Sequence, residues 1–271
     1  MTDKWLCPVC GGILTPDGGS YRCDEGHCYD IAKSGYVNLI RSNKSLHGDD
    51  RDMIRARNRF LDCGYNAPLR DALRDALCEV LRETLAGTEA PVCLDAGCGE
   101  CYYTAAMHNA VGGEMLGIDL SRDALIIGEK RRAGLELAVA SVNALPLGDG
   151  VTDAVISVFA PLCADEFHRV LRQDGSLIRV IPLARHLWGM KEVLYEHPYE
   201  NAEERDAPEG FLSLGMRRVE YTAEIDGEHI GDLFSMTPYF YRTDRAGREK
   251  LAALASLSTE LAFGILTYKK Q

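Results

Sequence analysis

The chain has 271 residues, 46% hydrophobic and 26% charged, with a formal net charge of −11. No apolar run approaches the ~20 residues of a membrane span, and no secretion signal opens the chain, so its ten cysteines are expected to be reduced thiols in the cytoplasm. The acidity excludes a protein that coats nucleic acid with its whole surface, but leaves room for a local basic patch.

Residues 1–40 open with Cys7-Pro8-Val9-Cys10 and Cys23-Asp24-Glu25-Gly26-His27, a C-x2-C and a C-x3-H separated by twelve residues. A two-residue gap lets one tight turn present two thiolates, and four such ligands can converge on a tetrahedral zinc ion. Cys7, Cys10, Cys23 and His27 are the candidate ligands, with Cys28 an alternative to His27. So short a segment cannot bury a core, and metal ligation would supply its stability.

Residues 41–90 read as a helical linker. Ser42 to Asp52 is polar and predicts a loop. After it Ile54, Phe60 and Leu61, then Leu69, Leu73, Leu77 and Leu81, recur at helical intervals, with a turn at Cys63–Pro68. Between Lys33 and Arg59, the basic residues Lys33, Arg41, Lys44, Arg51, Arg55, Arg57 and Arg59 outnumber Asp49, Asp50 and Asp52. Arg179, Arg185 and Lys191, with His186 among them, form a second basic stretch.

From residue 91 to 271 short apolar runs alternate with helical stretches. Strands are predicted near Val92–Asp95, Glu114–Ile118, Glu136–Ala140, Val151–Phe159 and Ser176–Ile181. Helices are predicted near Tyr103–Ala110, Asp123–Arg131 and Ala164–Leu171. A helix near His186–Tyr195, a strand near Arg217–Ala223, a helix near Gly227–Phe234 and a strand near Leu261–Tyr268 follow. Such alternation predicts an α/β domain with a parallel sheet.

Asp95-Ala96-Gly97-Cys98-Gly99 falls where the first of these strands turns into a helix. Glycines there let the backbone approach a ligand closely. Asp119 ends the next strand, about 20 residues on, where a carboxylate can accept ribose hydroxyls. Asp95 would repel a pyrophosphate but suits the cationic end of S-adenosylmethionine, and it disfavours a nucleotide-linked oxidoreductase. Asn143-Ala144, after the third strand, would offer a side chain and backbone amides to adenine. Cys101 stands where such loops usually have a third glycine, and a side chain there is expected to narrow the methionine end of the pocket.

These segments resemble the RlmA-type 23S rRNA (guanine-N1)-methyltransferases. The likeness is carried by the zinc pattern, by Lys33-x-Gly35-Tyr36-Val37-Asn38-Leu39, by Gly48-Asp49…Met53-x3-Arg57 and by Phe60-Leu61-Asp62-x-Gly64. It continues through Leu94-Asp95-x-Gly97-Cys98-Gly99-Glu100-x-Tyr102-Tyr103-Thr104, Arg185-His186-Leu187 and Met236-Thr237-Pro238. The resemblance implies a Rossmann-like class I methyltransferase with a small N-terminal zinc-binding domain, acting on a 23S rRNA hairpin, with S-adenosylmethionine and zinc bound and with two copies pairing. It implies that Gly99, Glu100, Asn66 and His186 line the cofactor pocket. The family usually has a His-Tyr pair where this chain has Tyr65-Asn66, so Tyr65 is a stand-in for Asn66. The zinc module and the basic linker would select RNA, with Arg55 and Arg57 on its phosphates.

Methylation at guanine N1 must also remove a proton. The sequence identifies no catalytic residue for this; Asp165, Glu166, His186 and a water are candidates. A small-molecule methyltransferase, or a non-catalytic zinc and RNA-binding module whose cofactor loop Cys101 has spoiled, are the alternatives.

Overall fold

A computed structural model describes residues 3–40, 49–84, 90–131 and 134–271. Arg41, Lys44, Gly48 and the 42–48 part of the expected loop lie outside the described residues.

The N-terminal module carries β1 (Thr15–Asp17), β2 (Ser20–Arg22) and β3 (Cys28–Asp30), a three-stranded antiparallel sheet, and then β4 (Tyr36–Asn38). The linker folds as α1 (Arg51–Asp62) and α2 (Ala67–Thr84). Helix α1 starts earlier than the polar run suggests, because the Asp50 carboxylate caps it, accepting the N–H groups of Asp52 and Met53 at 2.9 Å.

The large domain follows as β5 (Val92–Ala96), α3 (Tyr102–Val111), β6 (Glu114–Asp119), α4 (Arg122–Arg131), β7 (Glu136–Val139), β8 (Thr152–Val158) and α5 (Ala164–Val170). Its second half is β9 (Leu171–Pro182), α6 (Trp188–Leu194), β10 (Phe211–Asp226), α7 (Gly227–Ser235), α8 (Arg245–Ala252) and β11 (Ser256–Lys270). Helix α8 and the small module strands are additions to the elements predicted from sequence. The last hairpin is also much longer than expected, because β10 and β11 pair along nearly their whole length.

One eight-stranded sheet runs β10-β11-β9-β8-β5-β6-β7-β4. The strands from β9 to β4 are parallel, and β11 is antiparallel to both its neighbours. Side chains alternate across it. Cys93, Ile156 and Ile178 face a core with α1–α4 and α6–α8, whereas Leu94, Val155 and Leu177 face one shared with α5 and the N-terminal module. That second core takes in fully buried Trp5 and Leu14 from the module.

The module is therefore stitched to the large domain as well as tethered to it. Strand β4 extends the sheet beside β7, Leu6 donates its N–H to the Pro146 carbonyl at 2.8 Å, and Trp5 bridges Leu147. Both contacts fall just past Asn143, so the module is fastened to one of the predicted cofactor loops.

Candidate active site and metal centre

In the N-terminal module the Sγ atoms of Cys7, Cys10 and Cys23 and a ring nitrogen of His27 all lie within 4.8 Å of one another. Cys10 and Cys23 sulfurs are 3.6 Å apart, and the Cys23 sulfur is 3.3 Å from His27 Nδ1. Ligand bonds of about 2.0–2.3 Å to a central zinc span such edges, so the donor set and its spacing fit a tetrahedral site. Cys28 is exposed on β3 and is not among the converging groups. Burial of Cys7 raises its thiol pKa, but hydrogen bonds from the Tyr29 hydroxyl and from nearby backbone outweigh this and draw it down to about 6, toward the thiolate a metal needs.

At the carboxyl ends of the parallel strands lies a cavity of about 1020 Å³, the usual place for a ligand in an open α/β sheet. Asn66, Asp95, Gly97, Gly99, Glu100, Asp119, Asn143 and His186 all line it; Tyr65 and Ala144 do not. Tyr65 turns away, its ring stacked on Phe60 at 4.9 Å and its hydroxyl bonded to the Asp226 carboxylate and backbone N–H at 3.2 Å. The Ala144 N–H closes its own turn on the Ser141 carbonyl.

The polar groups of the cavity have spare capacity. Asp95, 1% exposed, accepts the Thr104 hydroxyl on Oδ2 at 2.6 Å, while its Oδ1 is buried with no partner among the described residues. Burial raises its carboxyl to about 7, so a cation arriving at Oδ1 would meet a carboxylate in need of a charge partner. Asn66 shows the same pattern: Nδ2 donates to the Tyr103 hydroxyl at 2.9 Å and Oδ1 is buried without a partner. The Asp119 oxygens accept the Gly99 and Ser121 N–H groups at 3.0 and 2.7 Å, each keeping a second lone pair. Gly97, at φ 87°, leaves no room for a side chain, since a Cβ there would sit 2.6 Å from the Ala160 Cβ. A glycine-lined loop, an orphaned buried carboxylate oxygen and a second acid on the next strand fit S-adenosylmethionine.

Cys101 does not narrow this cavity. It occupies the left-handed region at φ 59°, and its side chain points at Gly128 of α4, where an added Cβ would meet the Cys101 sulfur at 2.4 Å. The glycine absent from the loop is matched by a glycine on the neighbouring helix. This removes the ground for a spoiled cofactor loop.

The basic segments also change character. Arg57 donates to Glu100 at 2.8 Å and to Asp49 at 2.5 Å, and its guanidinium covers Gly99, so it is part of the cavity wall and not a phosphate contact. Arg59 is clasped by Asp232, Arg179 by Glu204 and Arg185 by Glu260, and Lys191 is fully buried. Sequence proximity had grouped charges that the fold pairs individually. Lys33, Arg51 and Arg55 keep exposed side chains.

Three of the candidate proton acceptors are eliminated. Asp165 and Glu166 lie outside the cavity, and Glu166 is tied to Arg169 and the Leu145 N–H. His186 Nδ1 accepts the Ala262 N–H at 3.3 Å, which puts the ring proton on Nε2; burial against Phe263, with Lys191 nearby, lowers its pKa to about 3. It is a neutral donor.

Other lining residues were not singled out as site residues from sequence, although Leu187 falls in the Arg185-His186-Leu187 segment that carries the resemblance. Phe159 ends β8 in the left-handed region at φ 54°, half-exposed, and Leu187 beside His186 is similarly placed at φ 60°. Such backbone costs roughly 1–2 kcal/mol per residue and gathers at functional sites. Tyr199, Glu200, Asn201 and Tyr241 arrive from loops far along the chain.

Residues 5–44 match the family described as RlmA, N-terminal, and residues 93–175 a methyltransferase domain. The chain is 32% identical over 246 residues to a 23S rRNA (guanine(748)-N1)-methyltransferase of Streptomyces fradiae, covering 88% of this chain and 86% of that protein. It is 34% identical to YxjB of Bacillus subtilis strain 168, a protein provisionally named 23S rRNA (guanine-N1)-methyltransferase, over 86% of this chain and 85% of the relative.

Proposed function

This chain belongs to the RlmA-type 23S rRNA (guanine-N1)-methyltransferase family, and on that footing we propose that it transfers a methyl group from S-adenosylmethionine to N1 of a guanine in a hairpin loop of 23S rRNA. The observation that carries the reading is that one cavity joins the orphaned Asp95 oxygen to a rim of exposed aromatic rings, Phe159, Tyr199 and Tyr241. One end suits a cationic nucleoside donor and the other a splayed-out base.

When bound, S-adenosylmethionine supplies a methyl group already activated on a sulfonium. Asp95 would hold its cationic end, Asp119 its ribose hydroxyls and Asn143 its adenine, with Gly97 and Gly99 allowing close approach. Glu100 and Asn66 complete the walls, and His186 offers an Nε2–H donor. The protein need form no covalent intermediate; placing the nucleophile in line is worth up to roughly 7–11 kcal/mol. Unstacked bases of an RNA loop can stack on aromatic side chains such as Phe159 and present their Watson–Crick edges.

The zinc ion held by Cys7, Cys10, Cys23 and His27 keeps residues 1–40 folded as an RNA-recognition module. That module presents exposed Val9, Ile13 and Lys33, and the 41–90 linker presents exposed Arg51 and Arg55; residues 91–271 carry the chemistry. We place the enzyme in the cytoplasm, pairing as a homodimer. Among the described residues no helix is long and apolar enough to cross a membrane. Titration with S-adenosylhomocysteine, followed by nucleoside mass spectrometry of unmodified 23S rRNA after reaction, tests the reading. Binding together with new N1-methylguanosine supports it; methylation at another atom, or turnover without RNA, overturns it.

A further inference from the structure

We propose that Glu200 accepts the proton leaving guanine N1, and that Lys191 is the positioning residue that sets it in place. This rests on the function proposed above.

Six carboxylates line the cavity, and five already hold a partner, with the spare capacity of Asp95 and Asp119 assigned above to the cofactor. Asp49 and Glu100 grip Arg57, Asp95 takes the Thr104 hydroxyl, Asp119 takes two backbone N–H groups, and Glu204 takes Arg179. Glu200 forms no hydrogen bond or ion pair among the described residues and is exposed to the cavity mouth. The Watson–Crick edge of guanine presents two adjacent donors, N1–H and the exocyclic amino group. A carboxylate is acceptor-only, with two oxygens, and can take both at once. Edge recognition and proton acceptance therefore call for the same group.

Glu200 projects from a strip fixed with unusual thoroughness. Lys191 of α6 is fully buried, and its ammonium donates to the Tyr199 carbonyl and to Asn201 Oδ1, both at 2.7 Å. The Tyr239 hydroxyl reaches the same Oδ1 at 3.1 Å. Asn201 in turn donates from its backbone to the Ala184 carbonyl at 2.9 Å and from Nδ2 to the Leu183 and His186 carbonyls at 3.0 and 3.4 Å. Burying an ammonium is strongly unfavourable unless its donors are satisfied. Here the satisfied bonds go to the residues either side of Glu200, so the latch locates the one uncommitted carboxylate. The same latch ties the strip to the loop carrying His186.

In the step, N1 bonds to the methyl carbon as the N1–H bond breaks. The proton passes to a Glu200 oxygen, and the C–S bonding pair leaves with sulfur.

The test is single-turnover methylation of unmodified 23S rRNA transcript by wild type, Glu200→Gln, Lys191→Met and the double variant across pH, with RNA and S-adenosylhomocysteine affinities measured on each. The Lys191 ammonium and the Glu200 carboxylate attract one another, and besides the acids and Arg57 already named the charged groups lining the cavity are Arg179 and Arg242. For Glu200→Gln the expected result is a rate about 100-fold lower or worse, both affinities within twofold, and a rate that climbs with pH where wild type is flat, as guanine itself must ionise. Lys191→Met should lower the rate too, and when added to Glu200→Gln should lower it little further. A Glu200→Gln rate within threefold of wild type, a loss confined to RNA affinity, or an unchanged pH profile each overturns the proposal. Wild type that binds S-adenosylhomocysteine yet makes no N1-methylguanosine overturns the functional reading and this proposal with it.

Discussion

The metal cluster and the cavity are built on opposite plans. Cys7 to His27 bring four donors together within a stretch of the chain that has only three-residue strands and little core of its own. The cavity draws on residues from Asp49 to Phe263, gathered from strand ends, helices and distant loops over the large sheet. The first arrangement is local and depends on its ion; the second is distributed and depends on burial. What joins them is the seam of Trp5, Leu6 and β4 against β7 and Pro146–Leu147.

Removing the metal is the hardest blow to this pairing. Structural zinc in small modules contributes an apparent ~10–16 kcal/mol, so chelation or Cys23→Ser should unfold the module. Trp5, now fully buried, should shift its fluorescence to the red. S-adenosylhomocysteine should still bind within about tenfold, because Asp95 and Asp119, proposed to hold it, stand on β5 and β6 and only the Asn143 loop adjoins the module. If Trp5 stays buried after the ion is gone, the seam alone holds the module and the contrast fails.

Arg57→Ala comes next, because it acts on the wall between linker and loop. It strands Glu100, 3% exposed, without its counter-ion. Breaking a buried pair costs roughly 3–5 kcal/mol, less where water reaches one partner as it does Arg57. We expect a melting temperature several degrees lower and cofactor affinity down at least tenfold. Arg55→Ala, exposed and only loosely paired with Asp52 at 3.8 Å, should leave both unchanged while weakening RNA binding.

Those two arginines, one helical position apart on each side of Ala56, show how far the sequence could be read. Metal ligands, glycine loop and acids at strand ends were legible because their chemistry is encoded in short spacings that local geometry dictates. The partner of Arg57 was not, since Glu100 lies 43 residues on and only tertiary packing unites them. Phe159 was hidden for another reason: it reads as the last apolar residue of the predicted strand, and nothing in the run says that its backbone turns left-handed and sets its ring on the cavity rim. The basic clusters misled because adjacency in sequence says nothing of which acid each side chain meets. Glu200 belongs to the same blind spot, on a loop with no periodicity to declare it, and although Lys191 falls in a predicted helix, nothing in the sequence says that its ammonium is buried against that loop.

Asp95 offers a third, milder test. In the free protein its carboxyl is raised to about 7 by burial. Folding stability from this group is therefore fullest below about pH 4 and is lost as pH climbs through about 7. Binding of a cationic ligand runs the other way, since it requires the carboxylate. Affinity for S-adenosylmethionine should weaken about tenfold per unit as pH falls below about 7. Asp95→Asn should flatten that dependence and cost about 10–100-fold at pH 8. Calorimetry at pH 6 and pH 8 on both proteins decides it, and equal slopes would assign the pH dependence elsewhere.

The smallest effect probes the loop itself. Cys101 stands in a conformation that costs an L-residue roughly 1–2 kcal/mol, yet its side chain fills the space over Gly128. Cys101→Gly relieves the first and empties the second, so stability should change by less than about 1 kcal/mol, with cofactor affinity within twofold. Gly128→Ala drives a methyl into the sulfur and should cost about 1–3 kcal/mol. Combined, the two substitutions should recover most of that loss, because the clash needs both side chains. Additive melting temperatures would mean that Cys101 and Gly128 do not share the space, and would return Cys101 to the cavity side of the loop.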